Sequence, residues 1–270
     1  MFKQIKSTQN SFVKEIFQLK DKSRIRKKKQ HFLIEGFREI SLAIKGNYKI
    51  NTLLFDETII SVEKVNELVA EISSKVEIIE ISNDVYKKLA YRTTTEGVLA
   101  LSHFKNLDLN NLNLDSNPLI LVAEAPEKPG NIGALLRTAD AAGIDAVIIA
   151  NPKTDMYNPN IVRSSVGSVF TNQIATGSTT EIITFLKKEN IAIYCASLNA
   201  CTDYSSINYK NSSAIIVGTE ATGLSNEWLE NSTKNIIIPM NGKIDSMNVS
   251  VSAAIITFEA VRQRKLITNN

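Results

Sequence analysis

Residues 119–143 read LILVAEAPEKPGNIGALLRTADAAG and decide the fold of the second half of the chain. The five apolar residues at 119–123 predict a buried strand, because strands covered on both faces lack alternating polar side chains. A Pro/Gly turn follows, and the apolar spacing over 132–142 predicts a helix that ends at Gly143, a residue type that commonly terminates helices. A strand, a turn and a helix in this order form the building unit of an α/β sheet.

The rest of the second half continues this alternation. Further apolar runs, rich in β-branched residues, occupy 146–150, 191–197, 214–217 and 236–239. Their mostly non-alternating pattern is typical of buried parallel strands, and the pattern over 249–265 predicts a long final helix. We therefore predict an α/β domain over 118–270, with a mostly parallel sheet flanked by helices. Such sheets usually bind ligands at the carboxyl ends of their strands.

The beginning of the chain predicts a smaller α/β domain over residues 1–105. Helical spacing over 11–19, 37–44, 62–73 and 84–90 is interleaved with strand-like runs at 32–34, 53–55, 76–81 and 97–102. Residues 106–117 are rich in Asn and Asp and are followed by Pro118, a composition typical of a linker. The sequence thus predicts two α/β domains joined by a short linker.

Positive charge is concentrated near the start of the chain. Residues 1–50 contain 13 Lys/Arg and 4 Asp/Glu, whereas the remaining residues contain 18 and 24. The excess peaks over 20–29, KDKSRIRKKK, and predicts contacts with an anion such as a nucleic-acid backbone. The candidate phosphate contacts are Arg24, Arg26, Lys27, Lys28 and Lys29. A solvated helix end without a partner is the alternative explanation.

Composition excludes several classes of protein. The chain has 43% hydrophobic and 22% charged residues, which is typical of a globular protein. No run reaches the roughly 18 apolar residues of a membrane span, and the polar start is unlike a signal peptide, so we expect a cytoplasmic protein without a membrane partner. Because Cys195 and Cys201 lack the spacing of zinc and redox motifs, and the two histidines lie far apart, we expect no metal site.

Familiar nucleotide and hydrolase motifs are also absent from the sequence. There is no Gly-x-Gly-x-x-Gly followed by an acidic residue, no Gly-x-x-x-x-Gly-Lys-[Ser/Thr], and no Gly-x-Ser-x-Gly. Neither His31 nor His103 lies in the second domain, where it could serve as a base. Dinucleotide enzymes, NTPases and serine hydrolases are therefore disfavoured.

Three clusters in the second domain combine glycine with polar residues after predicted strands. They are 124–140, 216–227 and 238–254. Each has an ordinary structural explanation when taken alone. The first could be a helix cap with a surface arginine, the second a glycine-rich turn into a helix capped at Asn226, and the third a capped final helix. The order of all three along one chain carries more information than any of them separately.

In this order the clusters resemble the motifs of the SpoU (TrmH-like) family of RNA ribose 2′-O-methyltransferases. The motifs are NIGALLRT at 131–138, VGTEATGL at 217–224, and a third that runs from IPM at 238–240 to SMNVSVS at 246–252. The resemblance spans 117–264, with one departure at Met247, where leucine is commoner. Residues 1–105, with FLIEG at 32–36, are similar to the substrate-binding domain of the same family, which is like ribosomal protein L30e.

This resemblance implies a fold, a cofactor and an assembly. The C-terminal sheet would be trefoil-knotted (SPOUT-type), its knot loops would hold S-adenosylmethionine, and two copies would form a homodimer through this domain. By motif position, the implied cofactor contacts are Leu198, Gly218, Ile238, Met240 and Met247. The implied catalytic residues are Asn131, Arg137, Glu220, Ser246 and Asn248.

The implied reaction transfers a methyl group to a ribose 2′-hydroxyl. The separate basic domain favours ribosomal RNA as the partner, with transfer RNA as the alternative. In the family, the residue at the place of Arg137 is proposed to be the base, but a guanidinium normally stays protonated. Arg137 could equally grip a phosphate and stabilise developing negative charge. Competing interpretations are base methylation and a non-catalytic RNA-binding or ribosome-assembly protein on the same fold.

Overall fold

The computed structural model describes residues 2–92, 96–243 and 246–268. The chain divides into two compact units. The first comprises Met1–Lys105 and Thr154–Thr171, and the second comprises Asn106–Lys153 and Asn172–Asn270. Each unit has its own sheet.

The helices are α1 (Ser11–Asp21), α2 (Ser23–Lys29), α3 (Phe37–Lys45), α4 (Val62–Glu71), α5 (Asn83–Leu89), α6 (Pro129–Ala142), α7 (Pro159–Ser165), α8 (Ser168–Thr171), α9 (Thr179–Lys188), α10 (Asn226–Asn231) and α11 (Val249–Thr268). The strands are β1 (Lys3–Ile5), β2 (His31–Glu35), β3 (Ile50–Phe55), β4 (Glu77–Ile81), β5 (Val98–His103), β6 (Leu119–Glu124), β7 (Ala146–Ala150), β8 (Ile174–Gly177), β9 (Ala192–Ala196), β10 (Thr202–Asp203), β11 (Ser213–Val217) and β12 (Lys234–Ile237).

The sheet of the first unit has the strand order β1-β4-β3-β5-β2. The pairings of β1, β4 and β3 are parallel, and those of β5 with β3 and β2 are antiparallel. Helix α1 covers this sheet with Val13, Ile16 and Leu19, which are all buried, as its apolar spacing predicts. The first unit is therefore the small α/β domain that the sequence predicts.

The basic run forms α2, and one of its members is not on the surface. Arg26 is only 2% exposed, and its guanidinium pairs with Asp155 through Nη2–Oδ2 at 2.8 Å and Nε–Oδ1 at 3.1 Å. Arg26 Nη1 also donates to the Leu19 carbonyl, and the Ser23 hydroxyl donates to the same aspartate. Arg26 is therefore corrected from a candidate phosphate contact to a structural residue, because its donors are consumed inside the unit.

The segment Thr154–Thr171 belongs to the first unit, whereas the sequence analysis assigned it to the second domain. Besides Asp155, this segment supplies Tyr157, whose ring stacks on Phe32 with the centroids 4.2 Å apart. The Tyr48 hydroxyl donates to the carbonyl of Val169 at 3.4 Å. These contacts join residues more than a hundred positions apart, so no local sequence pattern announces them.

The sheet of the second unit has the strand order β10-β12-β9-β11-β6-β7-β8, and every pairing in it is parallel. Its central strands β6, β7 and β11 are buried along their whole length. The chain runs outward through β6, β7 and β8 and then returns to the other side of β6. The prediction of a mostly parallel sheet flanked by helices is confirmed.

Several elements of the second unit differ from the sequence prediction in their bounds. Helix α6 begins at Pro129, three residues earlier than predicted, because a proline is tolerated in the first turn, where its missing N–H would be unpaired anyway. The region predicted as a linker, 106–117, is part of the second unit. Within it, Leu109, Leu112 and Leu114 pack against the core of that unit, and this apolar spacing was hidden among the asparagines.

Among the helices of the described residues, none is both long and apolar enough to cross a bilayer.

The Arg26–Asp155 pair predicts a measurable stability difference. We expect Arg26→Met to lower the free energy of unfolding of the first unit by about 3 kcal/mol or more, because it leaves a buried aspartate without its cation. Lys29→Met, which removes an exposed pair with Glu15, should cost about 1 kcal/mol or less. Urea unfolding, followed by far-UV circular dichroism, measures the free energy of unfolding of both variants. Equal effects of the two substitutions would contradict a structural role for Arg26.

Candidate active site

A cleft of about 590 Å³ lies at the carboxyl ends of the strands in the second unit. Its walls are the segments that follow β9, β11 and β12, together with residues around the start of α11. Clefts that hold small molecules and cofactors typically enclose about 300–1,000 Å³. One of these segments follows β11, which lies beside β6 at the switch in strand order, where open parallel sheets bind ligands.

The predicted cofactor contacts converge on this cleft. The residues that line it include Leu198, Gly218, Ile238, Met240 and Met247. Two of the predicted catalytic residues, Glu220 and Ser246, line it as well. Ile244 and Asp245, which are part of the third cluster, lie outside the described residues. The cleft is thus walled by apolar side chains and polar loop groups from segments distant in sequence.

Gly218 lies at the closest approach of two backbone segments. A Cβ atom at this position would overlap the carbonyl group of Gly223 and approach the amide nitrogen of Leu224. The loop folds back on itself through two hydrogen bonds between Thr219 and Gly223, with N–O distances of 3.0 and 3.1 Å. Gly223 has a φ of +69°, a conformation that favours glycine. Both glycines of the second motif are therefore required by the loop's geometry.

The first and third motifs meet through two asparagines. Asn248 Nδ2 lies 3.4 Å from Asn131 Oδ1, and the Asn248 side chain also accepts from the backbone N–H of Ser250, near the start of α11. Asn131 Nδ2 is buried and has no hydrogen-bond partner in the described part of the chain. Since buried donors are almost always paired, this N–H group is suited to an oxygen of a bound ligand.

The first and second motif loops are joined by an ion pair. Lys128 Nζ lies 2.6 Å from Glu220 Oε2, and this hydrogen bond raises the pKa of Lys128 above its ordinary value. Glu220 is among the residues that the motif resemblance implies, whereas Lys128 is not. Lys128 caps the start of α6, immediately before Pro129 and Gly130, so its place in the first cluster was the available signal.

Arg137, like Asn131 and Asn248, does not line the cleft. It is exposed on α6, six residues after Asn131. An exposed guanidinium of this kind can contact a charged ligand that approaches from solvent.

Cys195 lies in the core near the cleft and is not a candidate nucleophile. Burial, with a contribution from the nearby Glu124 carboxylate, raises the pKa of its thiol to about 12. A thiol of this kind stays protonated near neutral pH and is a poor nucleophile. The available chemistry is instead that of orienting amides, one carboxylate and backbone groups around a small molecule.

Comparisons with known proteins match both units. Residues 118–258 match the SpoU rRNA Methylase family, and residues 10–100 match the MRM3-like substrate binding domain. The chain is 30% identical over 257 residues to the 23S rRNA (guanosine(2553)-2′-O)-methyltransferase RlmP of Bacillus subtilis, covering 95% of this chain and 98% of that protein. It is also 30% identical over 240 residues to a 23S rRNA (uridine(2479)-2′-O)-methyltransferase of Streptomyces viridochromogenes, covering 86% and 83%.

Solved structures agree with the sequence comparisons. The crystal structure of the SpoU methyltransferase AviRb from Streptomyces viridochromogenes, in complex with the cofactor AdoMet, superposes with a TM-score of 0.87. That match covers 95% of this chain and 99% of the other at 28% identity. With a family match over the second unit and similarity to relatives along nearly the whole chain, the protein belongs to the SpoU rRNA methylase family.

Proposed function

We propose that this protein is an S-adenosylmethionine-dependent methyltransferase that methylates a ribose 2′-hydroxyl of ribosomal RNA. The observation that carries the proposal is the convergence of the second and third motif segments on one cleft of cofactor size, with the first motif joined to the third through Asn131 and Asn248. Both relatives described above act on 23S rRNA, and they match the chain along most of its length. A ribosomal RNA substrate supports a cytoplasmic location for the protein.

The cleft fits S-adenosylmethionine on two counts. Gly218 lets the loop that lines the cleft fold tightly on itself, because any side chain there would collide with the backbone of Gly223 and Leu224. Leu198, whose side chain is 58% exposed, Ile238 and Met247 offer apolar surface for the cofactor. When bound, S-adenosylmethionine supplies an activated methyl group and a sulfur leaving group, so no nucleophilic side chain is needed.

The task left to the protein is alignment of the ribose and help with its hydroxyl proton. Alignment of reacting groups alone can contribute about 7 kcal/mol or more to lowering a barrier. Asn131 offers a buried amide donor for a ribose oxygen, and Asn248 holds the orientation of that amide. The loops that line the cleft are supported by Ser246 and by Glu220, which is paired with Lys128.

Arg137 completes this set as a cation. Because guanidinium groups keep their proton in proteins, the role that suits Arg137 is to bind the phosphate beside the target ribose and to stabilise charge that develops on the oxygen. Its exposure on α6 leaves the fork of the guanidinium free to approach a polyanion. The base interpretation would need a deprotonated arginine, which proteins do not normally contain.

A trefoil knot and a homodimer belong to the same proposal. Helix α11 packs against α6 and returns the chain to the first motif, which supports threading of the C-terminal segment through the knot loops. The outer face of α11 carries Val251, Ile255 and Phe258 at helical spacing, and Val251 and Phe258 are about half exposed. A contiguous apolar stripe of this kind supports burial against a second copy.

The first unit contributes affinity for RNA. Four members of the basic run, Arg24, Lys27, Lys28 and Lys29, are exposed on α2. Exposed cations bind phosphates with an affinity that falls with salt and carries little sequence information. We therefore assign general RNA attraction, rather than the choice of nucleotide, to this helix.

Loss of the Arg137 guanidinium should abolish turnover without loss of cofactor. We expect Arg137→Ala to lower the rate of methyl transfer at least about 100-fold, because it removes charge stabilisation in the transition state. Transfer of radiolabelled methyl groups to ribosomal RNA, with mass spectrometry of the nuclease digest, measures the rate and the methylated atom. Arg137→Lys separates charge from fork geometry, and Lys188→Ala, on an exposed lysine, is the control. Near-native transfer by Arg137→Ala would refute the assignment, and a methylated base would refute ribose specificity.

The loop at residues 217–224, called the cofactor loop below, should not tolerate a side chain at Gly218. We expect Gly218→Ala to weaken S-adenosylmethionine binding by about 100-fold or more, since the added methyl group overlaps backbone that cannot move aside cheaply. Isothermal titration calorimetry measures the dissociation constant without RNA. Gly130→Ala, where a Cβ would meet no atom within 4 Å, is the matched control and should bind normally. Equal affinities of the two variants would show that the cofactor lies elsewhere.

Neutralising the exposed cations of α2 should change how RNA binding responds to salt. We expect replacement of Arg24, Lys27, Lys28 and Lys29 by Gln to reduce the slope of log affinity against log salt by up to about 3, or about 0.7–0.9 per lost phosphate contact. Replacement of four other exposed lysines of the first unit by Gln is a control that removes the same amount of charge. These are Lys14, Lys64, Lys75 and Lys87. An unchanged slope would identify α2 as a merely solvated surface.

A further inference from the structure

Glu124 is a buried carboxylate that the proposed chemistry leaves without a role. It ends β6, the strand beside β11 at the switch in strand order, and it is only 7% exposed. It does not line the cleft. A carboxylate in such a place costs free energy unless its oxygens are well hydrogen-bonded, so its partners indicate why it is there.

Its two oxygens are bonded by donors from two other segments. Ser225 donates twice, from its backbone N–H to Oε2 at 2.8 Å and from its hydroxyl to Oε1 at 2.8 Å. The Thr179 hydroxyl also donates to Oε1, at 3.1 Å, and itself accepts from Asn151 Nδ2 at 2.9 Å. The chain of hydrogen bonds therefore runs from the end of β7 across the end of β6 to the segment that follows β11.

The side chain of Ser225 bonds the Glu124 carboxylate and does not cap its own helix. As the N-cap of α10, a serine usually turns its hydroxyl to a backbone N–H of its own helix. Here the Ser225 side chain makes no such capping bond and donates to Glu124 instead. The helix gives up a local hydrogen bond so that the loop can be attached to the centre of the sheet.

The position of Ser225 connects this attachment to the cleft. Residues 217–224, which precede it directly, line the cleft and include Gly218 and Glu220. One end of this loop is fixed by β11, which pairs with both β6 and β9. The other end is fixed at Ser225 by Glu124, just after Leu224 enters the core. Without the second attachment, the loop would be held by its internal hydrogen bonds and by the exposed ion pair of Glu220 with Lys128.

We propose that Glu124 is a positioning residue that holds the cofactor loop in its binding conformation. It acts through Ser225 and does not touch the cofactor. Both carboxylate oxygens are needed, because the backbone N–H of Ser225 bonds one of them while two hydroxyls bond the other. Glutamine has the same shape but only one acceptor oxygen, so it cannot satisfy both sets of donors. This inference rests on the proposed function for the identity of the ligand.

The test compares cofactor binding with turnover in the full-length protein. We expect Glu124→Gln to raise the dissociation constant and the KM for S-adenosylmethionine about tenfold, the effect of one lost hydrogen bond to a charged group. At saturating cofactor, kcat and the KM for RNA should stay within about twofold of wild type, because bound cofactor restores the loop conformation by mass action. A residue needed only for general stability would not produce this separation.

Two further variants sharpen the test. Glu227→Gln is the matched control, because Glu227 also links α9 to α10, through the Thr180 hydroxyl at 2.7 Å, but is exposed and outside the cleft. We expect its cofactor affinity to be unchanged. Ser225→Ala removes one donor to Glu124 and should raise the KM for cofactor by about threefold. Its effect should be less than additive with that of Glu124→Gln, since the two residues share one hydrogen-bond network.

The outcomes distinguish this inference from the proposed function. Wild-type binding and KM values in Glu124→Gln, beside an active wild-type protein, would overturn the positioning role and leave the methyltransferase intact. A fall in kcat with unchanged cofactor affinity would overturn it too. If Glu124→Gln does not fold, Ser225→Ala decides, and an unchanged KM in that variant rejects the role. Failure of the wild-type protein to bind S-adenosylmethionine would instead refute the proposed function.

Discussion

The active site depends on the register between β6 and β11. These two parallel strands place Ala123 opposite Val217, so the residues that follow, Glu124 and Gly218, leave the sheet side by side. The first and second motifs are thereby joined at their origins although they are far apart along the chain. Parallel pairing requires a long crossover between neighbouring strands, and here β7, β8, β9 and β10 all lie between β6 and β11 along the chain. A slip in this register would separate the motif loops.

Much of the fold could be predicted because buried parallel strands leave a strong local signal. The apolar run at 146–150 coincides with β7, and the run at 119–123 misses only the last residue of β6. Short edge strands gave no comparable signal. Strand β10 has two residues, and β1 has three with a single buried side chain, so neither buries enough apolar surface to mark the sequence. Local patterns thus show the centre of a sheet better than its edges.

The candidate site was predictable in its membership but not in its geometry. The motif resemblance selected residues that line one cleft, yet nothing in their spacing places Asn131 against Asn248 or Lys128 against Glu220. For Arg26 the sequence predicted the wrong environment, since an exposed side chain was expected and a buried one is found. A buried arginine and a solvated one look alike within a run of basic residues, because what distinguishes them is a partner 129 positions away. Burial of charge is decided by tertiary contacts, which a single sequence does not record.

Binding of a polyanion and alignment of a small cofactor place different demands on structure. In the proposed function, the first unit meets one demand and the second unit meets the other. The exposed cations on α2 would attract RNA in water, where Coulomb attraction is screened and tolerant of position. The cofactor and the target ribose would instead be aligned by a glycine loop and a paired carboxylate at the cleft and by the amide of Asn131, whose action depends on distance.

The need to align a cofactor explains why the buried carboxylate of Glu124 is present despite the free-energy cost of its desolvation. A loop with glycine at both ends of its turn has few side chains to hold it, and its close backbone approach excludes larger ones. Rigidity therefore has to come from outside the loop. Glu124 supplies it from the sheet, which has one conformation, through Ser225 at the point where the loop ends. A hydrophobic contact would bury the loop end as well but would fix neither its direction nor its register, whereas two bonds from one residue to both carboxylate oxygens fix both.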